Sequence, residues 1–494
     1  MQVSQDIETA TTALEKSPIQ ASGRPDDKTR RYDRQLRLWA TSGQSALESS
    51  RVLVISASAT STSILKNLVL PGIGHFTILD SEIASQEDVG NNFFLEGPDS
   101  IGKPRAREAV RLLRELNESV EGIADTNNIS SCISDTEFLS AGFLADFHIQ
   151  LREHTIIDSH PEGFPSLRID KPFPALLEHA RSLDLENMNT TDHGHIPFVV
   201  ILVRALDMWK STHDGKPPTS YAERTEFKKL VLSLKKREDE ENFDEAVSQA
   251  YRAWTETKVP REIEALFTDE GLVNLNSSSP PFFHLLSILK EFSEQSPNVL
   301  PLTSRLPDMK ADTTSYISLQ KLYKTQADEE KLAFAGLVKE RGLEVESSYV
   351  DEFVRNCHGL KIIRGTRVGY LDEDKEFLGK LLASDESKGG AATYIALTAL
   401  SRFLEVNYSS SQNPTMSQLL SVAQELLPAG TDLPDELSVA IGEVVRAPTA
   451  DLPNTAALLG GLVAQEAIKV ITKQYTPVQG ICVIDLIESK TSIL

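Results

Sequence analysis

The sequence predicts an α/β fold in which a parallel sheet near the N-terminus is interrupted by a large, mainly α-helical insertion. A strand, a helix and a second strand follow one another between residues 51 and 79, and helical periodicity dominates residues 172–446. After residue 447 the chain returns to mixed helix and strand patterns. We therefore expect a split domain, built from residues 29–171 and 447–494.

The first elements are predicted from their polarity and periodicity. Residues 1–28 are polar, without an apolar period, and predict a flexible tail. The fold is expected to begin near Thr29. The residues from Tyr32 to Trp39 predict a short amphipathic helix that ends near Ser42-Gly43.

The strongest structural prediction is a right-handed βαβ unit. Residues 51–55 are β-formers, a turn of small residues follows, and a helix with apolar Ile64, Leu65, Leu68 and Val69 stops at Pro71-Gly72. A second buried-type strand, residues 75–79, ends in Asp80. This spacing is typical of the opening of a nucleotide-binding parallel sheet.

The remaining strands are less evident. A helix is predicted at residues 104–116, no convincing strand lies between 118 and 146, and the next candidate is 147–157. The last segment predicts a helix at 455–472, with Gly460-Gly461 suited to a close approach, and a strand at 481–485 that buries Cys482. Helices of the insertion are predicted at 198–209, 221–234, 243–254, 282–292, 316–339 and 391–405.

Composition excludes several classes of function. The 494 residues are 40% hydrophobic and carry a net charge of −22, which opposes binding to nucleic acid or anionic lipid. Three widely spaced cysteines, Cys132, Cys357 and Cys482, predict neither a disulfide framework nor a Cys-x-x-Cys zinc site. No leader or membrane-length apolar run is found, so we expect a cytoplasmic or nuclear protein.

The turn after the first strand argues against nucleotide binding by this chain. A phosphate loop needs glycines, because backbone amides must approach the anion closely. Residues 56–62 contain no glycine, although Asp80 stands where a ribose-binding acid is expected. The sequence therefore favours a structural remnant of a nucleotide site and disfavours an independent dinucleotide-dependent oxidoreductase.

Several motifs resemble the adenylation domains of ubiquitin-like-protein-activating enzymes, which have a Rossmann-like, ThiF/MoeB-type fold. They are the segments 32–39 (YDRQLRLW), 65–74 (LKNLVLPGIG) and 101–103 (IGK). Segments 88–95, 158–161, 168–174 and 466–474 are similar to those of the regulatory subunits of neddylation-activating enzymes. The resemblance runs from Thr29 through most of the chain, including the insertion, so the split domain is expected to be a pseudo-adenylation domain.

The resemblance implies a division of labour between two chains. In the family, ATP and magnesium serve to adenylate a ubiquitin-like modifier, which passes to a cysteine and then to a conjugating enzyme. The glycine-rich ATP loop and that cysteine lie in the catalytic subunit. We expect this chain to bind no cofactor itself, to form a heterodimer with that subunit, and to act on a modifier of the NEDD type.

Particular residues follow from the resemblance. Arg34 is expected to reach the ATP phosphates of the partner subunit, where a fixed guanidinium suits developing negative charge. Asn92-Phe93 and Arg105 depart from the phosphate-handling groups of active members. A catalytic cysteine is typically followed by threonine in this family, and none of the three is. Residues 172–446 are thus expected to resemble the catalytic-cysteine domain without its cysteine.

Three questions stay open at the level of sequence. Residues 316–337 resemble a segment that contacts the catalytic subunit, through Ser318, Lys321, Lys324 and Lys331, yet ordinary packing within the insertion explains the pattern equally well. A docking-only adaptor, or the regulatory subunit for the sumoylation modifier, remains an alternative function. Further central strands, normal for the family before residue 158, have no counterpart apart from residues 147–157.

Overall fold

The computed structural model describes residues 26–129, 153–160, 166–365, 374–407, 413–448 and 451–494. The chain forms two compact units. Unit 1 comprises Met1–His154 and Ile363–Leu494, and unit 2 comprises Thr155–Ile362. Unit 1 is therefore built from two stretches of sequence that lie on either side of unit 2.

The first stretch of unit 1 contains the parallel sheet. Its strands lie in the order β1-β2-β3, all parallel, with Arg51 paired to His75 and His75 paired to Glu121. The elements are α1 (Asp27–Arg31), α2 (Asp33–Ser49), β1 (Arg51–Ile55), α3 (Ala59–Val69), β2 (His75–Leu79), α4 (Gln86–Asn91), α5 (Arg105–Arg114) and β3 (Glu121–Asp125). The predicted βαβ unit is present.

Helix α1 begins inside the predicted tail. The Asp26 carboxylate caps it by accepting a hydrogen bond from the Thr29 amide at 2.6 Å, and Lys28 forms an ion pair with Glu48 at 2.7 Å. These two contacts hold the residues just before Thr29 in place, so the prediction of a tail through residue 28 is wrong for 26–28. Residues 1–25 lie outside the described part of the chain.

Helix α2 consists of two helical segments, and a second segment follows the short helix that the sequence predicts. It passes through Ser42-Gly43 and ends at Ser49, with a break in the helical dihedral angles at Trp39 and Ala40. A Cβ atom on Gly43 would lie 2.8 Å from the Trp39 side chain. Gly43 therefore gives room for the Trp39 side chain beside the break, which lies three to four residues before the predicted end at Ser42-Gly43.

Strand β3 was not predicted, because its sequence Glu-Gly-Ile-Ala-Asp contains few β-formers. Its glycine has a packing role, since a Cβ on Gly122 would lie 2.5 Å from the ring of Phe76 on the neighbouring strand. Within the described residues β1 and β3 are the two edges of the sheet, and the side chains of β1 are half-buried or exposed. Those of β2 are almost all buried.

Unit 2 is mainly helical. Strand β4 (His154–Ile156) pairs with β5 (Lys361–Ile363) in a separate two-stranded sheet. Of the strand predicted at 147–157, residues 147–152 lie outside the described part of the chain. Between them lie α6 (Pro174–Ser182), α7 (Thr190–His193), α8 (Phe198–Thr212), α9 (Tyr221–Ser233), α10 (Glu241–Ser248), α11 (Arg261–Leu266), α12 (Glu270–Val273), α13 (Pro281–Glu294), α14 (Thr313–Glu340) and α15 (Ser347–Arg355).

Two apolar clusters form the core of unit 2. One surrounds α8, whose residues from Phe198 to Val203 are all buried, and the other surrounds α13 and the inner face of α14 and α15. Helix α14 joins the two clusters, since Leu319 and Tyr323 lie in the first and Phe334 in the second. This long helix therefore determines how the two halves of unit 2 pack together.

The second stretch of unit 1 adds helices and a hairpin. Its elements are α16 (Lys375–Ala383), α17 (Lys388–Val406), α18 (Met416–Glu425), α19 (Asp435–Arg446), α20 (Pro453–Thr472), β6 (Cys482–Asp485) and β7 (Lys490–Ile493). Helix α17 packs against the hairpin so closely that a Cβ on Gly390 would lie 2.6 Å from Ser492. For this reason the compact units differ from the predicted domains, which placed residues 172–446 in a single insertion.

The strand that carries Cys482 pairs antiparallel with β7 and does not enter the parallel sheet. Cys482 is exposed, contrary to the prediction of a core position. Its strand sequence is apolar enough to suggest burial, but a two-stranded hairpin covers only one of its faces.

Helix α20 connects the end of the chain to its beginning. It packs on α3 through the small residues Ala456, Gly460 and Ala464, and a Cβ on Gly460 would lie 2.5 Å from that of Ser63. The close approach predicted for the paired glycines is thus made by Gly460. Among the described residues α20 is also the one helix long and apolar enough to cross a membrane, by length and composition alone, and that property does not assign a membrane span.

Candidate functional site

The carboxyl ends of β1 and β2 form the place where a sheet of this type binds nucleotides. The turn after β1 begins with Ser56, which has a positive φ of 72°. Ser58 then caps α3, and its hydroxyl accepts a hydrogen bond from the Ser61 amide at 3.1 Å. A serine side chain thus satisfies an amide that a glycine-rich loop would leave for a phosphate.

Asp80 follows β2 at this edge of the sheet, and its carboxylate is fully used within the chain. It accepts hydrogen bonds from the Ala57 amide at 2.7 Å, from the Glu82 amide at 2.9 Å and from Arg105 Nε at 2.8 Å. Its side chain is buried. The acid in the expected ribose-binding position therefore fixes the turn after β1 and the start of α5.

Arg105 joins two acids. Besides Asp80, its Nη1 donates to Asp88 at 2.7 Å, and the guanidinium is mostly shielded from solvent. Burial alone would lower the pKa of Arg105, but the bond to Asp80 and then the bond to Asp88 outweigh it and raise the pKa. Burial would also raise the pKa of Asp88, yet hydrogen bonds from Ser85 and Arg105 keep it below its ordinary value.

The N-terminus of α3 is occupied by a second carboxylate. Asp451 Oδ2 accepts from the Thr60 amide at 3.1 Å, and its Oδ1 accepts from the Thr60 hydroxyl at 2.7 Å. A helix N-terminus attracts anions, and here the anion comes from a residue 391 positions later in the chain. A nucleotide phosphate placed here would meet Asp451 as well as Asp80, so these residues do not fit a phosphate group.

Asn92 has a structural role beside this turn. Its Nδ2 donates to the Ala57 carbonyl at 2.9 Å, while its Oδ1 accepts from the Thr62 hydroxyl and the Phe94 amide. Phe93, where active family members are expected to carry a polar phosphate-handling residue, projects into solvent and is 90% exposed. The polar atoms of Asn92 are therefore engaged within the chain, and Phe93 offers no polar group to a ligand.

The segment that contains Arg34 is anchored by its neighbour Tyr32. Tyr32 is buried, and its hydroxyl accepts a hydrogen bond from Asn117 Nδ2 at 3.0 Å. Its ring fills the space above Gly72, where a Cβ would lie 2.6 Å from the Tyr32 oxygen and where φ is +90°. Segments 32–39 and 65–74 therefore pack against each other through Tyr32 and Gly72, and this contact fixes the start of α2.

Arg34 lies in the first turn of α2 and is exposed. The next arginine on the helix, Arg37, forms an ion pair with Asp33 at 3.1 Å, whereas Arg34 has no ion pair with any described residue. An arginine on a rigid helix with a free guanidinium is well suited to bind an anion supplied by another molecule.

The candidate interface residues all lie on α14 of unit 2. Ser318, Lys321 and Lys324 are exposed, whereas Lys331 lies 3.7 Å from both Asp328 and Asp351 and is partly covered. Sequence reasoning missed two apolar residues in the same arc of the helix, Ile317 at 55% and Leu332 at 70% exposure. They are fifteen residues apart, which is close to four helical turns, so the sequence could have placed both on the same side of the helix.

The described cysteines are not arranged for catalysis. Cys357 is fully buried, burial raises the pKa of its thiol, and its Sγ contacts the Pro301 carbonyl at 3.7 Å. Burial lowers the pKa of the adjacent His358, whose Nε2 bonds to the same carbonyl at 3.0 Å. The pair is thus an uncharged packing element. Cys132 lies outside the described residues, and the described residues contain no cluster of metal-binding side chains.

Comparison with known proteins agrees with the geometry. Residues 32–149 match the model of the ThiF family. The chain is 36% identical to the NEDD8-activating enzyme E1 regulatory subunit of Xenopus laevis, over 91% of this chain and 95% of that protein. It is 32% identical to the Arabidopsis thaliana regulatory subunit AXL over 94% and 98%, and 32% identical to the Drosophila melanogaster subunit over 97% and 99%.

Solved structures are similar over a smaller part of the chain. The E. coli tRNA N6-threonylcarbamoyladenosine dehydratase TcdA in complex with ATP matches 24% of this chain and 48% of its own, with 15% identity and a TM-score of 0.22. A similarity of that size says nothing about function. The relatives that match over nearly their whole length are decisive, and with them and the ThiF-family region the chain belongs to the family of NEDD8-activating enzyme E1 regulatory subunits.

Proposed function

We propose that this chain forms a heterodimer with a catalytic activating-enzyme subunit and supplies Arg34 to the ATP site of that subunit during activation of NEDD8. The observation that carries the proposal is the contrast between Arg34, which is exposed without an ion pair among the described residues, and the chain's own nucleotide-type site, where Arg105 is held by two acids. The modifier then passes through the complex to a conjugating enzyme.

In this proposal ATP and magnesium are bound by the partner subunit and no cofactor is bound by this chain. Two carboxylates support that division, because Asp80 and Asp451 stand where ribose and phosphate would bind. Both are held by amide and hydroxyl donors, and displacing either would leave those donors without a partner. The net charge of −22 supports a role without nucleic acid or membrane binding, in the cytoplasm or nucleus.

Arg34 would act by electrostatic stabilisation. Adenylation of a carboxylate moves negative charge among phosphate oxygens, and a guanidinium that is already in place stabilises that charge without reorganisation. Anchoring of Tyr32 against Gly72 and Asn117 provides the rigidity that this role needs.

The contact with the catalytic subunit is proposed to include the exposed arc of α14. Lys321 and Lys324 supply positive charge, Ser318 a hydroxyl, and Ile317 and Leu332 the apolar area that a stable interface needs at its centre. Lys331 would contribute less, since its ammonium group already lies beside Asp328 and Asp351. Packing within unit 2 does not use these exposed atoms.

Reconstitution tests the proposal. The chain is mixed with the catalytic subunit, ATP, magnesium and NEDD8, and adenylate formation is followed by pyrophosphate exchange while thioester formation is followed on gels. Arg34→Ala is expected to lower the rate of adenylation by ~100-fold without weakening heterodimer affinity. Arg37→Ala is the matched control, because Arg37 is exposed on the same helix but paired with Asp33, and it should retain the wild-type rate.

The possible results separate the alternatives. A heterodimer with equal rates for wild type and Arg34→Ala would show a docking-only adaptor. Substituting the sumoylation modifier for NEDD8 should give no adenylate. For the interface, the double variant Ile317→Asp with Leu332→Asp should weaken heterodimer affinity by more than tenfold. Unchanged affinity would show that this arc of α14 does not contact the catalytic subunit.

A further inference from the structure

Helix α2 is broken between the turn that carries Arg34 and the rest of the helix. Residues 33–38 form its first segment and residues 41–49 its second, and the dihedral angles of Trp39 (φ −122°, ψ 18°) and Ala40 (φ 57°, ψ −175°) between them are not helical. Residues other than glycine rarely adopt the Ala40 conformation, which is costly and persists only where the surrounding structure imposes it. The contacts around the break therefore decide the direction of the first segment.

The first segment is held at its ends and hardly along its length. Tyr32, at one end, is buried against Gly72 and bonded to Asn117. None of the residues from 33 to 42 is buried, and Arg34 is exposed. Packing along the segment is thus slight, so its orientation depends on how the other end is attached at the break.

Trp39 supplies that attachment through its carbonyl and its indole. The carbonyl accepts a hydrogen bond from Gln474 Nε2 at 3.1 Å, and the indole Nε1 donates to Gln44 Oε1 at 3.3 Å. Gln44 Nε2 in turn donates to the Pro71 carbonyl at 3.1 Å. The indole is thus bonded to the second segment of α2 itself, whereas the carbonyl is bonded to a residue from the other end of the chain.

Gln474 is itself held in place. It is 7% exposed and lies 435 positions after Trp39, just beyond the end of α20. Lys473, whose φ of 54° lies in the left-handed region, ends α20 and turns the chain there, and α20 packs on both α2 and α3. A buried amide donor is costly to leave unpaired, so the bond fixes the Trp39 carbonyl relative to α20.

We propose that Gln474 is a positioning residue for Arg34. By holding the Trp39 carbonyl, it fixes the direction of residues 33–38 and, with it, the place of the guanidinium in the ATP site of the catalytic subunit. This inference rests on the role of Arg34 proposed above. A group that stabilises a transition state has to be held within about 0.5 Å and 10–20° of its productive geometry. A displacement of about 1 Å can lower a rate by about 100-fold.

A purely structural role would give different kinetics. If Gln474 only stabilised unit 1, its loss would lower the amount of folded protein, and the remaining enzyme would turn over at the wild-type rate. If Gln474 acts through Arg34, its loss lowers kcat for adenylation, because Arg34 acts on charge that develops in the transition state. The KM values for ATP and NEDD8 should then stay close to those of the wild type.

The test removes the amide donor and nearly keeps the volume of the side chain. Gln474→Met is reconstituted with the catalytic subunit, ATP, magnesium and NEDD8. Because Tyr32 still anchors the other end of the segment, kcat for adenylation should fall by about tenfold, less than for Arg34→Ala, with KM for ATP changed by less than about twofold. Thr472→Val is the matched control. It removes a hydroxyl that donates to the Ile468 carbonyl at the same end of α20, and it should keep the wild-type kcat.

A double-mutant cycle shows whether Gln474 acts through Arg34. In the Arg34→Ala background, adding Gln474→Met should change kcat by less than about twofold, because the guanidinium that it positions is gone. Hydrogen exchange gives a readout that does not depend on activity. The Leu36 amide, which donates to the Tyr32 carbonyl at 2.8 Å, should exchange faster in Gln474→Met, while the amides of β2 exchange as in the wild type.

The results distinguish failure of this inference from failure of the proposed function. A kcat for Arg34→Ala equal to that of the wild type would overturn the proposed function and this inference with it. A slowed Arg34→Ala beside an unchanged Gln474→Met would overturn this inference alone. An equal loss from Gln474→Met in both backgrounds, or faster exchange throughout unit 1, would show that Gln474 stabilises the fold without positioning Arg34.

Discussion

Each unit buries an arginine in an ion pair, but Arg105 of unit 1 binds two carboxylates whereas Arg168 of unit 2 binds one carboxylate and a backbone carbonyl. In unit 1 Arg105 pairs with Asp80 and Asp88 at the edge of the sheet, and its side chain is 15% exposed. In unit 2 the Arg168 side chain is 4% exposed. It forms a bidentate ion pair with Glu330 at 2.6 and 2.7 Å and donates a further hydrogen bond to the Leu300 carbonyl.

This difference shows how the same chemistry serves two purposes. The cluster around Arg105 neutralises acids at a place where a fold of this type would bind a ligand. The cluster around Arg168 replaces a β-ladder, because it satisfies backbone groups of a buried segment that has no strand partner. We therefore expect Arg168 to matter for stability more than Arg105 does.

The largest effect is expected for Arg168→Ala. This change leaves the Glu330 carboxylate buried without its cation and the Leu300 carbonyl without a donor, so the free energy of unfolding of unit 2 should fall by about 3–5 kcal/mol. Denaturant unfolding followed by tryptophan fluorescence measures it, since Trp209 and Trp254 lie in unit 2.

Lys331→Ala is the matched control for Arg168→Ala. Lys331 also faces acids on α14 and α15, but at 3.7 Å and with 34% of its side chain exposed. Partly exposed ion pairs contribute about 0–1 kcal/mol. Equal losses for the two variants would show that the hydrogen bonds from Arg168 to the Leu300 carbonyl and from the Leu302 amide to Glu330 do not stabilise unit 2.

A smaller loss is expected for Arg105→Ala. Asp80 and Asp88 would then face each other without a cation, but Asp80 keeps its two amide donors and solvent can enter, so we expect a loss of about 2 kcal/mol. Adding Asp88→Asn should recover part of this loss by removing one negative charge. If the double variant is as unstable as the sum of the single variants, the two residues are not coupled.

Asp451→Ala should cost about 1 kcal/mol, which is typical for the loss of a helix cap. The variant frees the Thr60 amide and hydroxyl at the start of α3. Hydrogen exchange of the Thr60 amide should become faster, while amides of β2 should exchange as before. Unchanged exchange at Thr60 would show that Asp451 does not close this helix end in solution.

The smallest effect concerns pH. Burial lowers the pKa of His358 from its ordinary value near 6.5, so the unfolded chain binds a proton that the folded chain does not. Stability is therefore fully present above pH 6.5 and decreases as the pH falls below it. In His358→Gln, whose amide can still donate to Pro301, the loss between pH 7.5 and 5.5 should shrink by about 1 kcal/mol. An identical pH dependence in both proteins would contradict this assignment.

Sequence reasoning reached the local features of the fold and missed those that depend on distant partners. The βαβ unit and the end of its helix before Pro71-Gly72 were predicted correctly, because each is encoded within a few neighbouring residues. Strand β3 was missed, since its weak strand sequence is stabilised by pairing with β2 and by the fit of Gly122 to Phe76.

The candidate site shows the same limit. The sequence shows that Arg105 departs from the family pattern and that residues 56–62 contain no glycine, but it does not show that Arg105 binds the acid expected to hold a ribose. The cap from Asp451 comes from 391 residues away and carries no local signal. Cys482 was misplaced because an apolar strand pattern does not tell whether one face or two will be covered.

The contact of α20 with α3 has a consequence for the order of events during synthesis. Ser63 leaves the ribosome long before Gly460, yet a Cβ on Gly460 would meet it at 2.5 Å, so these helices can pack only after the residues between them, including all of unit 2, have been translated. Unit 2 lies entirely within Thr155–Ile362 and has all its residues much earlier. Unit 1 thus begins before unit 2 and is completed after it, and until then nascent α3 has an uncovered face that a chaperone can shield.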